Sequence, residues 1–174
     1  MSTLTADPGF ARGQVLGITK TYYDAQVGDG SHLLGVSKVF LDTDPQTQSL
    51  NSNVTVECVA VKNKSGAALL PGTVVQFSAG AVLTEIDTAA TQASVRVGVV
   101  DEYLPPAGVP ADEVFWVVVS GPTSATKTTG AISAGAEVTV STTAGKVASG
   151  NTRKVGVCIS AAASGTSSAR ILAG

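Results

Sequence analysis

Few residues in this chain could carry chemistry. The single histidine, His32, lies in GDGSHLL, and any Ser-His-Asp or Cys-His site would need it as its base. In a glycine-rich polar turn it reads as a surface residue. The two cysteines, Cys58 in VECVAV and Cys158 in VGVCI, are far apart and sit in valine-rich runs. One histidine and two distant cysteines lack the paired ligand spacing of a zinc site. They read as buried, reduced thiols, since free cysteine behaves as a small hydrophobe. The acidic pairs are Asp42 with Asp44, Asp101 with Glu102, and Asp112 with Glu113. No DxDxDG loop offers calcium its alternating oxygens, and the pairs read as solvated loop ends that keep strand edges from wrong partners. Gly121-Pro-Thr-Ser-Ala-Thr-Lys127-Thr128 imitates a phosphate-binding loop, but Thr126 replaces its second glycine. Gly130 and Gly135 then interrupt any helix that could follow, so Lys127 reads as a solvated charge. The sequence therefore presents no catalytic, cofactor-binding or metal-ligating set, and it is not expected to be an enzyme.

The elements that position these residues are strands. The organising stretch is VRVGVVDEYLPPAGVPADEVFWVVV, with apolar runs Val95–Val100 and Val114–Val119 around a connector, Asp101–Glu113. Phe115–Val119 is apolar at every position, rich in β-branched and aromatic residues, and contains the only tryptophan, Trp116. That pattern predicts a strand covered on both faces, with the core built around it. VTVECVAV, GTVVQF, AEVTVST, KVGVCIS and SARIL predict further strands, with turn chemistry between them. Leu33–Leu41 reads as one strand or an extended segment. Gly80–Ala93 has no clear pattern, SGPTSATKTTGAISAG reads as a long polar loop, and AGKVASGNT as a turn region. No segment has a 3.6-residue period. The fold class is all-β, a compact β-sandwich or small β-barrel. Residues 1–52 form a poorly patterned N-terminal segment whose first 30 or so could be an extended arm that orders against a partner. Residues 53–174 form the β domain.

Two stretches echo one another. Gly72-Thr-Val-Val-Gln-Phe-Ser78 aligns with Gly135-Ala-Glu-Val-Thr-Val-Ser141, and each is followed by Val-Gly-Val, at Val97–Val99 and Val155–Val157. Either two related β units pack together, or valine-rich strands repeat short words by chance. A glycine inside a strand marks a bulge, a bend or the close approach of another backbone.

Composition excludes several classes. The 174 residues are 44% hydrophobic and only 14% charged, well below the usual quarter for globular domains. With a net charge of −2 and scattered Lys and Arg, there is no footprint for nucleic acid. No apolar run is long enough to span a membrane. MSTLTADPGFARGQ lacks the basic start and apolar run of a signal peptide.

GVVDEYLPPAGVPADEVFWVVVSGPT and FLDTDPQTQSLNSNVTVECVAVKNKSGAALLPGTVVQF, about half the chain together, resemble head-decoration, or capsid cement, proteins of tailed bacteriophages. The resemblance implies a structural protein without cofactors, made in the host cytoplasm and carried on the outer surface of the virion head. Its partner would be the major capsid protein, whose neighbouring subunits it would clamp. It would form a homo-oligomer, with a trimer the first expectation and a dimer the second. The alternative is a phage or bacterial surface binding module, such as a fibre knob or carbohydrate-binding β-sandwich. That reading needs exposed aromatics, and the chain has only three Tyr, four Phe and one Trp.

Overall fold

A computed structural model describes residues 12–13, 33–80, 84–91, 94 and 96–174. They contain ten strands and no α-helix: β1 (Ser37–Thr43), β2 (Leu50–Asn63), β3 (Val74–Phe77), β4 (Glu85–Ala89), β5 (Val97–Val100), β6 (Val114–Thr126), β7 (Glu137–Val140), β8 (Val147–Ser149), β9 (Lys154–Cys158) and β10 (Ser168–Ala173). The order across the sheet is β1-β2-β4-β3-β5-β6-β10-β9-β7-β8, with a further β2–β6 pairing. The all-β expectation is met.

That further pairing closes a ring. β2 runs antiparallel to β6, with Val61 opposite Phe115, and parallel to β4 at Lys62 and Asn63. β4 pairs β3, β3 pairs β5, and β5 returns to β6. Five strands thus enclose one core, made of Val59, Val61, Val75, Phe77, Ile86, Val100, Phe115 and Val117, with Leu69, Leu104 and Val109 from the connecting loops. The alternating side chains of each strand supply it, as a small barrel requires. Gly98 is glycine because this interior is full: a Cβ there would lie 2.3 Å from Val117 Cγ1.

A second ring repeats the first. The distal half of β6 pairs β10, β10 pairs β9, β9 pairs β7, β7 pairs β8, and a parallel bridge from Lys127 to Val147 brings β8 back to the end of β6. The registers coincide. Val75 faces Gly98 in the first ring, and Val138 faces Gly156 in the second. Val61 faces Phe115 and Ala125 faces Ala169, while Val59 faces Val117 and Thr123 faces Ile171. Even the loop bridges match, Leu69 with Val109 and Ile132 with Ala162. Gly72 N–H donates to Val100 O, and Gly135 N–H to Cys158 O. The echo in the sequence is therefore a structural duplication. Smaller residues fill the second core, with Thr123, Ala125 and Ala169 where the first has Val59, Val61 and Phe115.

β6 belongs to both rings. The expected strand Val114–Val119 extends to Thr126, so the first part of the expected polar loop is strand. The change of ring falls at Gly121, with φ of +99°, where a Cβ would sit 2.3 Å from Thr55 O. Only glycine combines that backbone conformation with so close an approach. Between the rings lies the larger cluster. Cys58, Ala60, Val74, Val99, Trp116 and Val118 on the outer wall of the first ring pack with residues of the second. Trp116 is fully buried, with Phe40 of β1 edge-on to its ring at 5.6 Å between centroids.

β1 lies outside both rings, along β2, and the sheet therefore begins at Ser37 rather than at Asn53, where the sequence changes texture. β1 is half exposed, and only its inward residues meet the body, which is why 37–52 looks unpatterned. Gly80–Ala93 contains β4, and AGKVASGNT contains β8.

Candidate functional site

Among the described residues, the buried charges other than Lys127 gather in one place. Asp101 directly follows β5, Asp42 is on the inward face of β1, and Arg170 is on β10. The fourth member, Arg12, comes from far upstream. Its Nη2 lies 2.8 Å and its Nε 3.2 Å from Asp101 Oδ1, while the Gly13 amide donates to Oδ2 at 3.0 Å. Arg12 Nη1 is 3.7 Å from Asp42, Nη2 is 3.7 Å from Glu102, and the guanidinium stacks 4.8 Å from the Tyr103 ring centroid. Gly13, with φ of +79°, lets the backbone pass where a Cβ would be 2.7 Å from Tyr103 O. Arg170 reaches both oxygens of Asp42 at 2.7 Å and also bonds Glu102. Ser52 Oγ donates to Asp42 at 2.8 Å, and Asn51 Nδ2 to the Tyr103 hydroxyl at 2.6 Å. Arg12, Asp42 and Asp101 are all at most 3% exposed.

Electrostatics and burial oppose one another here. Burial alone would lower the pKa of Arg12 and Arg170, but the hydrogen-bonded carboxylates of Asp101 and Asp42 overcome it, and both pKa values rise. Burial alone would raise Asp42, yet the bonds from Arg170 and Ser52 hold it below its ordinary value. Burial raises the Tyr103 hydroxyl, with the Glu102 charge adding to it. The network is a lock. Asp101 and Asp42 each accept bonds on both oxygens, and the two arginines fasten an upstream segment and β10 to the β1–β2 ribbon.

This corrects the reading of the acidic pairs as solvated loop ends. Asp42 and Asp101 are buried because two arginines distant in sequence neutralise them. Asp44 does stay at the surface, where it caps the turn after β1 by accepting from Gln46 N–H at 2.8 Å. Asp112 is exposed and pairs with Lys64 at 2.5 Å. β5 and β6 form a long-looped hairpin, but Asp101 turns to Arg12 while Asp112 turns to Lys64. Among the described residues no three His, Cys, Asp or Glu side chains are grouped to hold a metal ion.

Lys127 also departs from expectation. It is 3% exposed, not solvated, and its ammonium donates to Thr128 O at 3.1 Å and Gly130 O at 2.8 Å. The duplication explains this. Lys127 bridges Val147 as Asn63 bridges Ile86, and the buried Asn63 amide likewise donates to loop carbonyls, those of Ala67, Val109 and Pro110. Each polar head closes one end of its ring by satisfying loop carbonyls. Cys58 and Cys158 are buried and unpaired, as expected, and burial raises the Cys58 thiol. His32 lies outside the described residues, as does most of the expected arm. Arg12 and Gly13, which fall within that arm, are fixed to the body. Nothing local in the sequence marks Arg12 as the partner of a carboxylate 89 positions away.

No family model matches this chain, and no curated protein matches it. Among solved structures, the chain is similar to the N base of head fiber gp8.5 of bacteriophage phi29. The identity is 14%, over 67% of this chain and 92% of that one, with a TM-score of 0.45. A likeness at that level assigns no role to any residue here.

Proposed function

We propose that this chain is a structural decoration protein of a phage head, which binds the outer surface of the shell and braces contacts between major capsid subunits. The observation that carries the reading is where the resembling stretches fall. Phe40–Phe77 spans most of β1, all of β2 and all of β3, and Gly98–Thr123 spans most of β5 and of β6. With β4 they make the whole first ring and the ribbon beside it. The resemblance to capsid cement proteins thus falls on four of the five strands of the first ring and on part of the ribbon beside it, with β4 outside it.

The chemistry agrees with an adhesive role. The carboxylates of Asp42 and Asp101 are engaged by the network's own donors, and the ammonium of the buried cation Lys127 donates to backbone carbonyls. The binding-module alternative needs aromatic side chains on the surface. Among the described aromatics, Phe77, Phe115 and Trp116 are buried, and Phe40 and Tyr103 are half-buried against other groups. The test is head stability. Heads assembled with the protein should release DNA at a higher temperature than heads without it, and equal release temperatures would overturn the bracing role.

A further inference from the structure

A cavity of about 210 Å³ is lined by both units of the duplication. The first ring gives it Arg96, Val99 and Val119, and the second gives it Arg153, Lys154 and Ala173. These are largely the same places in the two units. Phe77 N–H donates to Arg96 O at 3.1 Å, and its counterpart Val140 N–H donates to Arg153 O at 2.9 Å, so the two arginines are equivalent. Val99 faces Val118 and Val157 faces Leu172, which makes Ala173 the counterpart of Val119. The β7–β9 register skips from Gly156 to Lys154, so β9 carries one residue more than β5 between its glycine and its arginine. Lys154 thereby adds a third cation.

Three of the eleven Lys and Arg in the chain meet at this cavity, and none of its described lining residues has a carboxylate side chain. Arg96 is exposed and lies over the Phe77 ring, 5.7 Å from its centroid. A guanidinium held against an aromatic ring keeps its N–H edge for an acceptor. Lys154 is 3.7 Å from Glu137, with both side chains half exposed, a contact that water readily replaces. Arg153 makes interactions of its own, and Thr139 fixes its backbone, so the inference rests on Arg96 and Lys154. The other lining side chains are those of valine and alanine.

We propose that this cavity binds a carboxylate carried on a short hydrocarbon stem. Arg96 and Lys154 take the charge, Arg96 through the planar fork that matches two carboxylate oxygens. The valine and alanine walls take the stem. A compact phosphate would use the cations but leave those walls uncovered. The carboxylate has two sources, a free organic acid or a glutamate side chain of another protein, and both present the same group. The site does not rest on the phage-head reading, and its test needs no head.

The experiment is isothermal titration calorimetry of the full chain with glutarate, with inorganic phosphate, and with the tripeptide Ala-Glu-Ala blocked at both ends. Wild type should bind glutarate saturably at one site and more tightly than phosphate. Arg96→Gln with Lys154→Gln removes charge-assisted bonds and should weaken glutarate binding by about tenfold or more. Its melting temperature should match wild type, because both side chains are exposed. Lys64→Gln with Lys146→Gln removes the same charge away from the cavity and should bind glutarate as wild type does. Tripeptide binding in competition with glutarate would assign the site to an acidic segment of a partner protein, and binding of glutarate alone would assign it to a free acid; either result upholds the proposal. No saturable glutarate binding by wild type, a cavity variant that binds as wild type does, or a control variant that loses as much would overturn it. Phosphate that binds as tightly as glutarate would overturn the role of the stem.

Discussion

Replacing Arg12 by methionine should destabilise the whole fold. Methionine keeps much of the stem that lies against Tyr103 but removes the charge. Asp101, which is fully buried, would keep only the Gly13 amide of the bonds described above, and Asp42 would keep Arg170, Ser52 and Asn51. Breaking a buried ion pair from one side costs about 3–5 kcal/mol, because the remaining charge stays buried without compensation. For a protein of this size each kcal/mol lowers Tm by about 2–4 °C, so the melt should fall by roughly 6–20 °C. Urea denaturation of wild type, Arg12→Met, Asp101→Asn and the double variant makes a complete cycle. The double variant should cost clearly less than the sum of the single ones, since no orphaned charge remains. If Arg12→Met costs under about 1 kcal/mol, as exposed ion pairs do, the reasoning that residue 12 belongs to the folded body is wrong. By the same reasoning, removal of residues 1–30 should weaken the body and not merely trim an arm.

Trp116→Ala should cost about 3–5 kcal/mol in denaturant, since the ring is fully buried between the two units; an unchanged midpoint would show that the inter-ring core is not formed as described. Cys58 and Cys158 should react slowly with thiol reagents at neutral pH without denaturant, and burial of the raised Cys58 thiol should become a cost only as pH climbs past the ordinary thiol range. Rapid labelling of both would contradict this. The folded-state pKa of Asp42 is lowered, so its contribution is present above the ordinary aspartate value and is lost as pH falls through the folded one. Stability to urea should therefore drop below about pH 4, and Asp42→Asn should flatten that drop; an equally steep drop in the variant would remove Asp42 as its source.

The legible parts of the fold were those whose residues declare both faces. Phe115–Val118 is apolar throughout because one face fills the first ring and the other meets the second. The distal half of the same strand was illegible, since Ser124 and Thr126 are small, polar and only partly covered, and Thr123 fills an interior position that its homologous place in the first ring gives to Val59. β8 is three residues long and β4 carries two carboxylates, too little pattern to separate them from turns. The duplication was visible as an echo of two short words, but only the shared registers distinguish it from repetition by chance. The lock could not be read at all. Arg12 lies in a stretch without periodicity, and its partners come from β1, from the start of the β5–β6 connector and, through Arg170, from β10. Long-range neutralisation of this kind depends on the closed topology, not on spacing.

The claim that most needs a direct test is attachment to the head. Purified protein should be mixed with assembled heads that lack it, and in parallel with free major capsid subunits, and each mixture sedimented. The proposed function predicts saturable co-sedimentation with assembled heads and none with free subunits. Failure to sediment with heads, or equal binding to free subunits, would contradict it.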